Sequence, residues 1–162
     1  MLSRLPPATR LAAARPDTAT PDELLRLDRQ LCFALYSSSL LMTKLYKHVL
    51  GALGLTYPQY LVLLALWQAD AVGVSELGDQ LYLDSGTLTP LLKRMEVAGF
   101  LERKRSSQDE RRVDIRLRPA GRKLKKEAAR VSACVIRATA CPVPELVSLT
   151  RQVQALRTQL TT

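Results

Sequence analysis

The sequence predicts a mainly helical chain with a small β-wing, a winged helix-turn-helix that dimerises through its N- and C-terminal helices. Three observations predict it. Two short capped helical stretches lie side by side between residues 75 and 98. A basic run and then the strictly alternating VDIRLR follow them. Apolar seams occupy both end helices, and a small wing domain offers them little to pack against.

Along the 162 residues, residues 1–20 form a flexible arm rich in Arg, Pro, Ala and Thr. Residues 21–56 form the first segment, a sensor and dimerisation helix. Thr20 caps it, Pro21 takes the first helical position, and Asp22 and Glu23 complement the positive end of the dipole. Leu24, Leu27, Leu31 and Leu35 set its stripe, which Met42, Leu45 and Val49 continue to a stop near Gly51 or Gly54.

Residues 57–118 form the winged helix-turn-helix. Its first helix begins at Tyr57-Pro58 and is apolar on nearly all sides, as a central helix is. Ser75 is expected to cap SELGDQLYL, with Glu76 in the first turn. Asp84 or Ser85 caps SGTLTPLLKRMEVAG, which Gly99 ends. Two such helices with a short turn between them make a helix-turn-helix. Pro90 removes one hydrogen bond from the second helix, a small loss so early in it.

FLERKR and VDIRLR then form a two-stranded hairpin, with Val113, Ile115 and Leu117 on one face and Asp114, Arg116 and Arg118 on the other. Residues 119–162 are C-terminal dimerisation helices. Pro119 opens the first, Pro142 and Pro144 break it, and the second carries Leu146, Leu149, Val153, Leu156 and Leu160 as a helix-packing seam.

A net charge of +9 beside 47% apolar residues favours a polyanionic partner, with double-stranded DNA ahead of an acidic membrane. Three cysteines and one histidine are too few for a disulfide scaffold or a zinc cluster, so no metal and no cofactor is expected. His48 has no acid–base partner in sight and suits a surface or packing role. The N-terminal residues lack a continuous apolar stretch of secretory type, and the longest apolar run, Leu61 to Trp67, is too short for a bilayer. The expectation is a cytoplasmic chain with no membrane association.

On the second helix of the pair, Leu88, Leu91, Leu92 and Met95 face inward. That leaves Ser85, Thr87, Thr89, Pro90, Lys93 and Arg94 toward a DNA groove, where small hydroxyls and cations suit phosphates and base edges. The hairpin supplies Arg103, Lys104, Arg105, Arg111 and Arg112 against Asp109 and Glu110. An arginine at the wing tip enters the minor groove, where the potential is most negative. Asp109 is placed to hold the Arg111 guanidinium before DNA arrives.

Cys32 leaves two readings open. A cysteine among leucines is commonly a small buried hydrophobe. Cys32 and Tyr36, however, share a helix face one turn apart, with Tyr46 further along and Tyr57 beyond the next turn. Phenols donating to a sulfur favour the thiolate, the form that attacks a peroxide.

LCFALYSSS, MTKLYK, LGLTYPQYLVLLALW, LGDQLYLDSGTLTPLLKRME and RKRSSQDERR together resemble the OhrR branch of the MarR family of winged-helix regulators, over about residues 24–118. The resemblance implies an obligate homodimer that represses a gene for an organic-hydroperoxide-reducing enzyme, with an organic hydroperoxide as inducer. It carries the sensing cysteine onto Cys32, two sulfur-binding phenols onto Tyr46 and Tyr57, and a further pocket tyrosine onto Tyr36. It puts the recognition helix on residues 84–96 and the wing's Asp–Arg pair on Asp109 and Arg111.

Two features depart from the pattern. Leu117-Arg118-Pro119 replaces the usual Leu-Thr start of the helix after the wing. In the two-cysteine group of the branch, a partner's resolving cysteine completes a disulfide; here Arg137 holds its expected place. Cys134 stands one turn before Arg137 and Cys141 one turn after, so both are candidates. The implied chemistry is oxidation of Cys32 to a sulfenic acid, then a disulfide that releases operator DNA. Two rivals remain: a MarR-type repressor released by a small aromatic ligand without thiol chemistry, and a thiol peroxidase that also binds nucleic acid.

Overall fold

A computed structural model describes residues 20–105 and 112–161. The arm up to residue 19 and the Asp109–Arg111 pair lie outside the described residues. In order, the elements are α1 (Pro21–Leu24), a 3-10 turn (Leu27–Arg29), α2 (Leu31–Gly51), α3 (Tyr57–Gln68), β1 (Val72–Gly73), α4 (Val74–Leu81), α5 (Ser85–Val97), β2 (Leu101–Arg105), β3 (Val113–Leu117), α6 (Pro119–Thr139) and α7 (Val143–Leu160). Two compact units divide the chain, Met1–Leu40 and Leu41–Thr162, and α2 runs from the first into the second.

In the first unit the expected single helix is broken. The Thr20 hydroxyl and the Glu23 carboxylate exchange bonds with each other's backbone N–H, a capping box,. Only one turn follows before Arg26 swings its guanidinium onto Asp28, at 3.0 and 2.8 Å. The Gln30 carboxamide donates to the Leu24 and Arg26 carbonyls, which ends α1 and sets the entry to α2. Periodicity could not show this, because leucine spacing continues through the break.

In the second unit α3 is the pillar. Thr56 and Gln59 form a capping box with Pro58 in the first turn, and Tyr60, Val62, Leu63, Ala65 and Leu66 are buried. They meet Leu77 of α4, Leu88, Leu91, Leu92 and Met95 of α5, Leu101, Ile115 and Leu117 of the sheet, and Ala128 and Val131 of α6. Each fully buried Leu or Val contributes about 1.5–3 kcal/mol relative to exposure. The four inward residues expected on α5 are the four that are buried.

Three local findings differ from the sequence reading. Gly73, not Ser75, is the N-cap of α4. The wing has three strands in the order β1-β3-β2, all antiparallel; β1 has only two residues, too few for alternation to register. Asp114, expected on the solvent face of β3, is buried. Its strand is central, and its cross-strand neighbours are Gly73 and Lys104.

Gly121 fixes how α6 meets the sheet. A Cβ there would overlap the backbone carbonyl of Phe100, which has no rotamer with which to move away. The Trp67 indole N–H donates to the Gly121 carbonyl at 3.0 Å, so α3 and α6 touch at the same point. Gly121→Ala is therefore expected to destabilise the fold by about 1–3 kcal/mol, the usual range for overpacking. Urea titration followed by circular dichroism measures it, and an unchanged midpoint would show that α6 can shift freely.

Candidate functional site

The outer face of α5 begins at its cap. The Asp84 carboxylate accepts the Thr87 backbone N–H and the Thr87 hydroxyl, both at 2.9 Å, and those bonds hold its pKa below the usual carboxylate range. Ser85, Thr87, Thr89, Pro90, Lys93 and Arg94 are all exposed, as the periodicity required. Among the described residues neither Lys93 nor Arg94 has an ion-pair partner, so both charges are available to an anion. Val97, on the same helix, is 84% exposed.

The wing flanks this face. Arg103, Lys104 and Arg105 are exposed on β2. Arg103 is already engaged: its backbone N–H donates to Glu96 Oε1 at 2.9 Å and its Nε to Oε2 at 2.8 Å. The backbone bond, then the guanidinium, hold Glu96 below its ordinary pKa. This ties α5 to β2. Arg112 donates from Nε to Asp114 Oδ1 at 2.9 Å and from Nη2 to Glu76 Oε2 at 3.1 Å. Asp70, in the α3–β1 turn, accepts the Leu117 N–H at 2.9 Å and pairs with Arg122 of α6 at 2.5 Å. Burial works to raise the Asp70 pKa, but the Leu117 N–H and the Arg122 guanidinium outweigh it and leave the group below its usual value.

Sequence reasoning missed Asp70, Glu96 and Asp114 as positioning groups. Asp70 bonds elements about fifty residues away and Glu96 reaches from α5 to β2, while Asp114 holds arginines two residues to either side on its own strand, an arrangement that depends on its burial. Glu76 was placed in the first turn of α4, but its bond to Arg112 was not foreseen.

The phenols in the second unit gather. Tyr46 and Tyr57 have ring centroids 4.4 Å apart, and Tyr46 and Tyr60 5.9 Å apart. Burial, with Tyr57 and Tyr60 adding to it, pushes the Tyr46 pKa up to about 12. Burial likewise raises Tyr57. Both therefore keep their protons at neutral pH and can donate a hydrogen bond. In the first unit, Cys32 and Tyr36 are exposed, so Cys32 is not core filling within its own chain. Leu31, Phe33, Leu35 and Leu40 around it are exposed as well.

Cys134 and Cys141 are half-buried and differ in their company. The Arg137 guanidinium donates to the Cys134 sulfur at 3.7 Å. The Cys141 thiol faces the Glu145 carboxylate at 3.5 Å, and burial first, then that carboxylate, raise its pKa. No cluster of His, Cys, Asp and Glu suited to a metal ion occurs among the described residues. No single helix among them is long and apolar enough to cross a membrane.

A family model described as transcriptional regulator SarA/Rot matches residues 44–128. The chain is 53% identical over 112 residues to the organic hydroperoxide resistance transcriptional regulator of Bacillus subtilis (strain 168), covering 69% of this chain and 76% of that one. Among solved structures it is similar to AbfR of Staphylococcus epidermidis. Reduced AbfR bound to DNA is 33% identical with a TM-score of 0.71, covering 88% of this chain and 100% of that one. Disulfide-formed AbfR is 35% identical with a TM-score of 0.60, covering 83% and 95%.

The phenol cluster makes a pH prediction. Folded Tyr46 keeps its proton up to about 12, whereas an unperturbed phenol loses it near 10.0. The folded state thus holds more protons between those values, and stability falls as pH rises through that window. Tyr46→Phe should flatten the fall, as read from urea midpoints between pH 9 and 12; an equally steep loss in the variant would assign it to other groups.

Proposed function

The chain belongs to the MarR family of winged-helix transcriptional regulators, on the branch of the organic hydroperoxide resistance regulators, and from that membership we propose a homodimeric redox repressor. An organic hydroperoxide oxidises Cys32, and operator DNA is released. The observation that carries this reading is an exposed thiol on an apolar helix surface, in a chain whose recognition helix presents unpaired cations. That the named regulator of Bacillus subtilis concerns organic hydroperoxide resistance supports the inducer class. DNA-bound and disulfide-formed states of AbfR support a repressor governed by its thiols.

The second copy is inferred from what one chain leaves uncovered. Leu24, Leu25, Leu27, Leu31, Phe33 and Leu35 are exposed in the first unit. No residue of α7 is buried. Covering surfaces of this kind against a second copy is the general solution for end helices. A dimer also presents two recognition helices to adjacent half-sites of a pseudo-palindromic operator.

The chemistry balances as follows. The Cys32 thiolate attacks the terminal peroxide oxygen, the O–O bond breaks, Cys32 becomes a sulfenic acid, and the departing alkoxide takes a proton from water to leave as the alcohol. Tyr36, Tyr46 and Tyr57 are the proposed phenols of the peroxide pocket, with Tyr46 and Tyr57 protonated and able to donate. A second thiolate then attacks the sulfenic sulfur, forming the disulfide as the S–O bond breaks, and the departing hydroxide takes up a proton to become water. Cys134 is the better resolving candidate, because a cation stands beside its sulfur. Burial first, then the Glu145 carboxylate, favour the protonated Cys141 thiol and slow its attack,. Bridged Cα atoms lie no more than about 7 Å apart, so closing the bond draws helices together and moves the recognition elements.

Three experiments test this reading. In a gel shift with cumene hydroperoxide, Cys32→Ser should bind DNA as the wild type does and stay bound. Release of the variant would favour ligand-triggered dissociation without thiol chemistry. Mass mapping of the oxidised wild type should find Cys32 joined to Cys134, and Cys134→Ser should remove that species; a Cys32–Cys141 peptide would reverse the choice. For the DNA face, Arg94→Ala should lower the slope of log affinity against log salt by about 0.9, the loss of one phosphate contact. An unchanged slope would remove Arg94 from the interface.

A further inference from the structure

Among the described residues Asp114 is the buried charged side chain, 6% exposed, and two arginines converge on it. Arg112 donates to Oδ1 at 2.9 Å, and Arg116 reaches Oδ2 at 3.9 Å. The same Arg112 guanidinium donates to Glu76, in the first turn of α4, at 3.1 Å. It lies over Gly73 of β1, where an added Cβ would come 2.9 Å from Nε. One planar cation therefore joins β1, β3 and α4. Glu76, Arg112, Arg103 and Thr89 line a cleft of about 700 Å³ between α4, α5 and the wing.

Two carboxylates directed at an arginine are out of place on a face built to attract DNA, since each repels phosphate. They make sense as a clamp. A guanidinium shared between Glu76 and Asp114 has two of its five donors committed and its direction set by planar geometry. We propose that Glu76, Arg112 and Asp114 form a wing anchor: Arg112 is a positioning residue that holds the wing strands against α4 and so sets their attitude toward DNA, not a phosphate ligand, and the two acids promote operator binding. The inference deepens the DNA-binding reading above and rests on it.

The sign of a charge change separates the alternatives. Glu76→Gln removes a negative charge beside the DNA face, so the field alone would leave binding unchanged or tighten it. As an anchor, Glu76 is needed, and its loss weakens sequence-specific binding although the charge change is favourable. The experiment uses full-length reduced protein and two duplexes: one selected by the wild type from a random-sequence library, and one unselected. Affinities are measured by fluorescence anisotropy across a salt series.

Glu76→Gln and Arg112→Gln should each weaken the selected duplex on the order of tenfold, and the double variant should lose no more than either single one. For Arg112→Gln the salt slope should stay at the wild-type value, and Arg112→Lys should not restore affinity, because an ammonium cannot span two carboxylates. Asp114→Asn should behave alike. If burial prevents that variant from folding, Glu76→Gln, at an exposed site, carries the test, with its melting temperature as the control.

Wild-type or tighter binding by Glu76→Gln would overturn the anchor alone. So would a fall of about 0.9 in the slope for Arg112→Gln, equal on both duplexes, which marks a phosphate contact. A wild type that enriches no duplex would overturn the DNA-binding reading and the anchor with it.

Discussion

Asp70 and Glu96, with Asp114 acting through Arg112 and Glu76, join elements that the apolar core would leave free to slide. Hydrophobic contact sets which faces meet but not their register, because it has little direction. The sheet of this winged helix is small, and β1 contributes only two residues to it. Its attitude therefore depends on bonds with direction. Asp70 ties the end of β3 to the α3–β1 turn and to α6. Glu96 ties β2 to the recognition helix, and Asp114 gathers the arginines at the start of β3. Take these bonds away and the leucines remain buried, but the wing no longer has one orientation.

That arrangement reconciles a strongly basic chain with a precise surface. Cations supply attraction to DNA at long range, and attraction alone is indifferent to sequence. Specific recognition needs side chains held in place before contact. Here some cations are spent on structure, Arg103 and Arg122 among them, while Lys93 and Arg94 stay outside any ion pair among the described residues. The division of labour is between acids that orient and bases that attract.

The thiols obey a related logic of company. Cys134 and Cys141 are one helical neighbourhood apart in sequence and look interchangeable there. Arg137 beside one and Glu145 beside the other make them chemically unequal. Cys32 differs from both, being exposed near the start of α2 beside the exposed Leu31, Phe33 and Leu35.

By itself the sequence determined the winged helix-turn-helix, the four inward residues of α5 and its six exposed ones. These depend on caps and on periods of 3.6 and 2, which are local and survive without tertiary contacts. It also singled out Cys32 and the tyrosines, through motif blocks that resemble one branch of one family. Tertiary structure alone decided the break between α1 and α2, the third wing strand, the burial of Asp114 and the inequality of Cys134 and Cys141. Each of those rests on a bond that the apolar pattern does not encode: the Gln30 side chain to carbonyls of the preceding turn, the backbone of Val72 and Gly73 to β3, Asp114 to arginines two residues to either side, and the thiols to Arg137 and Glu145. Periodicity reports which face is apolar; it carries no information about which polar group will be waiting on the other side.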